Sequence, residues 1–148
     1  MNLGFQDLLK NQLLSYFCWS SASESGTAPV EFYVPEMIYV GLFTNTGESE
    51  ADPVELVIGS KGYARTPVTF STPVNGVIKN NIQVTFPKAT GGSWGKITHI
   101  GLFPSDGTDS MDEPLKDLLV LQQLSSVEEV LEGSVFELDI NAIRINLV

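Results

Sequence analysis

The sequence predicts an all-β fold, an antiparallel β-sandwich or jelly-roll-like domain, preceded by a short N-terminal α-helix. Two observations predict it. The hydrophobic period changes from 3.6 to 2 across a linker of small residues, and the later apolar runs are short, alternating and separated by turn-rich stretches.

The helix is expected first. Phe5, Leu8, Leu9, Leu13, Tyr16 and Phe17 recur at the spacing of one helical stripe, with Asp7 near the end where the helix dipole favours negative charge. Such a stripe serves either to pack on its own domain or to dock on a neighbouring subunit. Lys10, the run Leu13 to Trp19 and the small residues Ser21-Ala22-Ser23 imitate a signal peptide. Asp7 and the short, amphipathic character of the run argue against one. Ser20 to Pro29 has no periodicity and reads as a linker. The chain thus divides into an arm of helix and linker, residues 1–28, and a β-domain, residues 29–148.

In the β-domain, Ile38, Val40 and Leu42 alternate with Tyr39, Gly41 and Phe43. Ile82, Val84 and Phe86 alternate with Gln83 and Thr85, and Ile100 and Leu102 sit between His99, Gly101 and Phe103. Phe136, Leu138 and Ile140 form a further run, and Ile143, Ile145 and Leu147 the last. Alternation of this kind marks half-buried antiparallel strands. The last two runs are out of phase, so a bulge or bend is expected at Asn141-Ala142. Turn-rich segments fall at Asn45 to Pro53, Gly59 to Gly62, Thr72 to Gly76, Pro87 to Gly95 and Pro104 to Pro114.

Composition narrows the function. With 148 residues and 43% hydrophobic content, the chain has the size of one domain and is too apolar for disorder. A formal charge of −10 disfavours nucleic acid and anionic lipid as partners. No stretch has the length of apolar residues that a helical membrane span needs. Cys18 is the one cysteine and His99 the one histidine, which excludes an internal disulfide and any site built on two imidazoles.

Candidate chemistry is sparse. Gly91-Gly92-Ser93-Trp94-Gly95 has the G-x-S-x-G spacing of a nucleophile elbow, but the residues after it read as a strand rather than a helix. A glycine-rich turn is expected instead. The acidic stretch Asp106 to Asp117 lacks the ligand spacing of a calcium loop, with Gly107 directly after the first aspartate and Pro114 inside. His99 lies on a strand with no second ligand type near it in sequence, and is expected to be structural. No catalytic, cofactor-binding or metal-binding residues are expected, and the protein reads as no enzyme.

One resemblance covers most of the chain. Gly62-Tyr63-Ala64-Arg65-Thr66-Pro67-Val68-Thr69-Phe70, followed by Ile82 to Pro87 and by Trp94-Gly95-Lys96-Ile97-Thr98-His99-Ile100-Gly101-Leu102-Phe103, resembles small phage virion structural proteins. Asn11 to Leu14 and Tyr39 to Thr44 extend the likeness toward the N-terminus. The connection Trp19 to Pro35 and the acidic loop Pro104 to Leu115 are longer than that pattern. The resemblance implies a β-sandwich, and related virion proteins commonly assemble as trimers.

The leading expectation is a capsid decoration or cement protein, a homotrimer contacting the major capsid protein or other virion proteins. Its location would be the virion, more on the capsid surface than on the tail, after assembly in the host cytoplasm. A tail fibre, baseplate or adaptor component is the second reading, and a glycan-binding module centred on Trp94 the third. The candidate partner and oligomer contacts are Phe5, Leu9, Leu13, Tyr16 and Phe17 on the helix stripe, with Tyr63, Arg65 and Trp94 in the domain. Gly62 is expected to supply a turn with positive φ, and Arg65 a bidentate pair with a carboxylate.

Overall fold

Alternating segments become strands in the computed structural model, which describes residues 4–5, 36–45, 53–108 and 118–146. The strands are β1 (Gly4–Phe5), β2 (Ile38–Thr44), β3 (Val54–Glu55), β4 (Thr66–Val68) and β5 (Val77–Lys79). They continue with β6 (Val84–Thr85), β7 (Gly95–Phe103), β8 (Val120–Val130), β9 (Glu137–Leu138) and β10 (Arg144–Asn146). Every strand pairing among the described residues is antiparallel.

A six-stranded sheet runs in the order β1-β8-β7-β2-β3, with β4 also on β2. Two ribbons, β5 with β10 and β6 with β9, accompany it. The all-β expectation therefore holds, but a second sheet of matching size, which a sandwich or jelly roll needs, is not formed among the described residues. The helix expectation is corrected at its first residue, because Phe5 is extended and pairs with Val120. Leu8, Leu9, Leu13, Tyr16 and Phe17 lie outside the described residues, as does the rest of the expected arm apart from Gly4.

Strand β8 is the one long element the alternation did not announce. Its register explains why. Gly95 to Ile97 of β7 pair with Val130 to Glu128, whereas His99 onward pairs from Gln123. Thr98 alone therefore faces the segment Leu124 to Val127, a bulge that interrupts the period of 2. Only Val120 and Val130, at the two ends of β8, are buried.

The core forms on one face of the sheet. Val40 and Leu42 of β2, Ile97, Ile100 and Leu102 of β7, and Val120 and Val130 meet Val84, Phe86, Phe136, Leu138 and Ile143 from the ribbons and loops. Ile97 and Ile100 share this face despite their odd spacing, because the irregularity at Thr98 reverses the phase. A second reversal comes where it was expected. Asn141 adopts φ +67 and Ala142 N–H donates to Asp139 O (3.1 Å), so that Leu138 and Ile143 both turn inward.

Candidate functional site

The residues that carried the resemblance meet in space. Lys61 (φ +51) and Gly62 (φ +75) are the two central residues of a type I′ turn closed by Tyr63 N–H to Ser60 O (2.9 Å). Gly62 is required twice over: a β-carbon there would lie 2.8 Å from Lys88 O and 2.7 Å from Thr90 Oγ1. The turn sends Tyr63 into the core, where it is 2% exposed.

Tyr63 touches Trp94 edge to face, with ring centroids 5.5 Å apart. Trp94 is itself 6% exposed, and its indole N–H donates to Lys61 O (2.8 Å). The Gly-Tyr-Ala-Arg and Trp-Gly segments are thus two sides of one aromatic cluster, extended by Phe86 and Phe136. An aromatic buried this deeply offers no flat platform for a sugar, so Trp94 does not provide the glycan surface considered from the sequence.

Beyond the ring, the Tyr63 hydroxyl fills a gap in the sheet. Residues 38–40 of β2 pair with β4, and residues 43–44 with β3. Between these partners, Leu42 N–H donates to Tyr63 Oη (2.8 Å) and Leu42 O accepts from Leu56 N–H (2.9 Å). Tyr63 O–H in turn donates to Glu55 Oε1 (3.0 Å). Burial, joined by the charge of Glu55, pushes the phenol pKa far above its usual range.

Arg65 finds its carboxylate in Glu55. Nε donates to Oε1 and Nη2 to Oε2, both at 2.8 Å, while Nη1 donates to Ser105 O (3.1 Å). The guanidinium carbon stands 3.4 Å from the centre of the Phe103 ring, a cation–π contact in a sheltered place. Ser105 is held by its own loop, where Asp106 accepts from Thr108 N–H (2.9 Å) and Thr108 Oγ1–H (2.8 Å). These two hydrogen bonds lower the Asp106 pKa.

Space for this network comes from glycine. Gly41 and Gly101 are direct partners across β2 and β7. A β-carbon on Gly41 would fall 2.7 Å from both Glu55 Oε1 and Phe103 Cε2, and one on Gly101 would fall 2.6 Å from Phe43 Cε2. The trench they leave takes Phe43 and Phe103, stacked with 6.0 Å between centroids.

The remaining motifs have local tasks. Gly91 and Gly92 form a turn with positive φ that leads into β7, and Ser93 Oγ accepts from Glu132 N–H (3.1 Å). His99 Nδ1 meets Thr98 Oγ1 at 2.9 Å, and burial lowers the imidazole pKa. Among the described residues no three His, Cys, Asp or Glu side chains converge as metal ligands would.

Two participants escaped the sequence reading. Glu55 stands in Val54-Glu55-Leu56, too short a run to register as a strand. Asn80, fully buried, lies in the polar run Lys79-Asn80-Asn81, which carries no signal of burial.

An aromatic cluster bonded to a sheet edge and a carboxylate–guanidinium pair that ties β3, the Tyr63–Arg65 segment and the Ser105 loop together define a structural β-module. The chain belongs to the podophage GP4 fiber I protein gp80 family, whose profile matches residues 4–146. It is accordingly a structural protein of a phage virion. No curated protein matches it.

Proposed function

We propose that the protein is a fibre component of the virion, assembled as a homotrimer and acting mechanically, without catalysis, cofactor or metal. The observation that carries this reading is the family match across residues 4–146, whose description names a fibre. That description moves the leading expectation from capsid cement to a fibre. The internal network agrees with it, since Tyr63 and Arg65 make their polar contacts inside the domain, as a rigid structural part requires. In this reading the partners are copies of the chain and other virion proteins, and the arm residues after β1, up to residue 28, are the segment that links them.

The test is the position and copy number of the chain in purified virions. A reconstruction showing it in discrete fibres, with far fewer copies than the major capsid protein, supports the proposal. Density spread over the capsid lattice at a copy number tracking the shell overturns it. Light scattering on the purified protein tests the trimer, which should have three times the 16.1 kDa of one chain.

A further inference from the structure

The β5–β10 ribbon shows an unneutralised pair of cations in an acidic chain. Register places Arg144 directly opposite Lys79, with their side chains on one face of the ribbon. Like charges opposite one another across an antiparallel pair are destabilising. Among the described residues no carboxylate forms an ion pair with either, the ion pair there being Arg65 with Glu55. Arg144 is nonetheless oriented, because its Nε donates to Asn146 Oδ1 (3.0 Å) and leaves both terminal nitrogens free. A chain with a formal charge of −10 keeps two cations together here.

They line a cleft of about 480 Å³, within the size range of small-ligand sites. Its far wall is the hairpin that precedes β5. Asn75 (φ +50) and Gly76 (φ +73) make a type I′ turn, closed by Val74 N–H to Val77 O (2.9 Å) and Val77 N–H to Val74 O (3.0 Å). Ser71 N–H to Lys79 O (2.8 Å) fixes the base of the same hairpin. The wall therefore keeps its shape without a ligand. Ser71, Thr72 and Asn75 line the cleft beside Val74, which is 66% exposed. None of the lining residues is acidic.

From this geometry we propose that the cleft binds an acidic saccharide, a sugar bearing a carboxylate or a phosphate. Lys79 and Arg144 take the anion through charge-assisted hydrogen bonds. Ser71, Thr72 and Asn75 exchange hydrogen bonds with ring hydroxyls, and Val74 covers a C–H face. The cleft's volume of about 480 Å³ is far larger than a bare anion needs, which leaves room for the sugar that carries the anion. The proposal stands on the cleft alone and does not depend on the fibre assignment.

Amide NMR shifts of the full-length ¹⁵N-labelled chain test it, with galacturonic acid and glucose 1-phosphate as probes and galactose, glucose and inorganic phosphate as comparisons. Both acidic sugars should give saturable shifts at Ser71, Thr72, Asn75, Lys79 and Arg144, while the neutral sugars give none at the same concentrations. Inorganic phosphate should bind roughly tenfold more weakly or worse, and added salt should weaken every anion. Lys79→Gln with Arg144→Gln should abolish the shifts without lowering the melting temperature, because the repulsion is removed with them. No shift at the cleft, or shifts that survive in the folded double variant, overturn the proposal. Phosphate binding as tightly as the sugars would reduce it to a nonspecific anion site, and tight binding of a tetraglutamate peptide would make it a protein contact. Either result overturns it too.

Discussion

Arg65 holds Glu55 through two parallel hydrogen bonds, Nε to Oε1 and Nη2 to Oε2, each 2.8 Å long. Their side chains are only 6% and 18% exposed, so the pair acts in a poorly solvated place. Arg65→Lys keeps the charge and loses both the fork and the stacking on Phe103. Breaking a buried pair is costly, and the partial access of water to Glu55 moderates that cost to about 2–4 kcal/mol. Guanidinium unfolding measures it. A loss under about 1 kcal/mol, the size seen for exposed pairs, would mean that the network is solvated.

The paired glycines should respond unequally to a methyl group. Gly41→Ala drives a β-carbon against the Glu55 carboxylate and the Phe103 ring, both fixed by the Arg65 network. It should cost about 3 kcal/mol, at the upper end for overpacking. Gly101→Ala meets Leu118 Cδ1 and Phe43 Cε2 and, less closely, Phe103 Cε2, and the leucine contact is with the far end of a flexible side chain. A smaller loss, about 1–2 kcal/mol, is expected there. Melting temperatures of the two variants should fall in that order.

Tyr63→Phe leaves the Leu42 N–H without its acceptor beside a fully buried side chain. The expected loss is about 1–3 kcal/mol at neutral pH. The hydroxyl also sets an alkaline limit. Its folded-state pKa is raised, by burial first and by Glu55 second, above the unfolded value of about 10. Its contribution is therefore complete below about pH 10 and declines as pH rises further, because only the unfolded chain releases the proton. The decline should approach about 1.4 kcal/mol per pH unit for this one group, and should be missing from Tyr63→Phe. Denaturant midpoints measured on both sides of pH 10 distinguish the two chains.

Asn80 joins three backbone segments from a fully buried position. Its Nδ2 donates to Ile82 O (2.8 Å) and Asp139 O (2.9 Å), and its Oδ1 accepts from Ile143 N–H (2.8 Å). Asn80→Asp points a carboxylate oxygen at two carbonyls, whereas Asn80→Ala only removes the contacts. At pH 7 the aspartate variant should therefore be the less stable of the two, with a loss of roughly 3–5 kcal/mol. The buried carboxyl would have a raised pKa. Its protonated form donates to one carbonyl, so the Asp variant should regain stability as pH falls toward about 4, while the Ala variant does not. Unfolding curves at pH 7 and in mild acid give the comparison.

The sequence by itself determined the elements whose signal is local. Alternation found β2, β6, the second half of β7, β9 and β10, and the phase change at Asn141-Ala142 located a real turn. Glycine chemistry placed the turn before Tyr63, and Arg65 was recognisable as half of a bidentate pair. Only the tertiary structure decided which carboxylate completes it, that Tyr63 and Trp94 face inward together, and that Gly41 stands opposite Gly101. It also decided β8, whose bulge opposite Thr98 erases the period of 2. The physical reason is the same in each case. Periodicity and turn preference are set by near neighbours in the chain, whereas a partner is chosen by register between strands, which depends on how distant segments share one core.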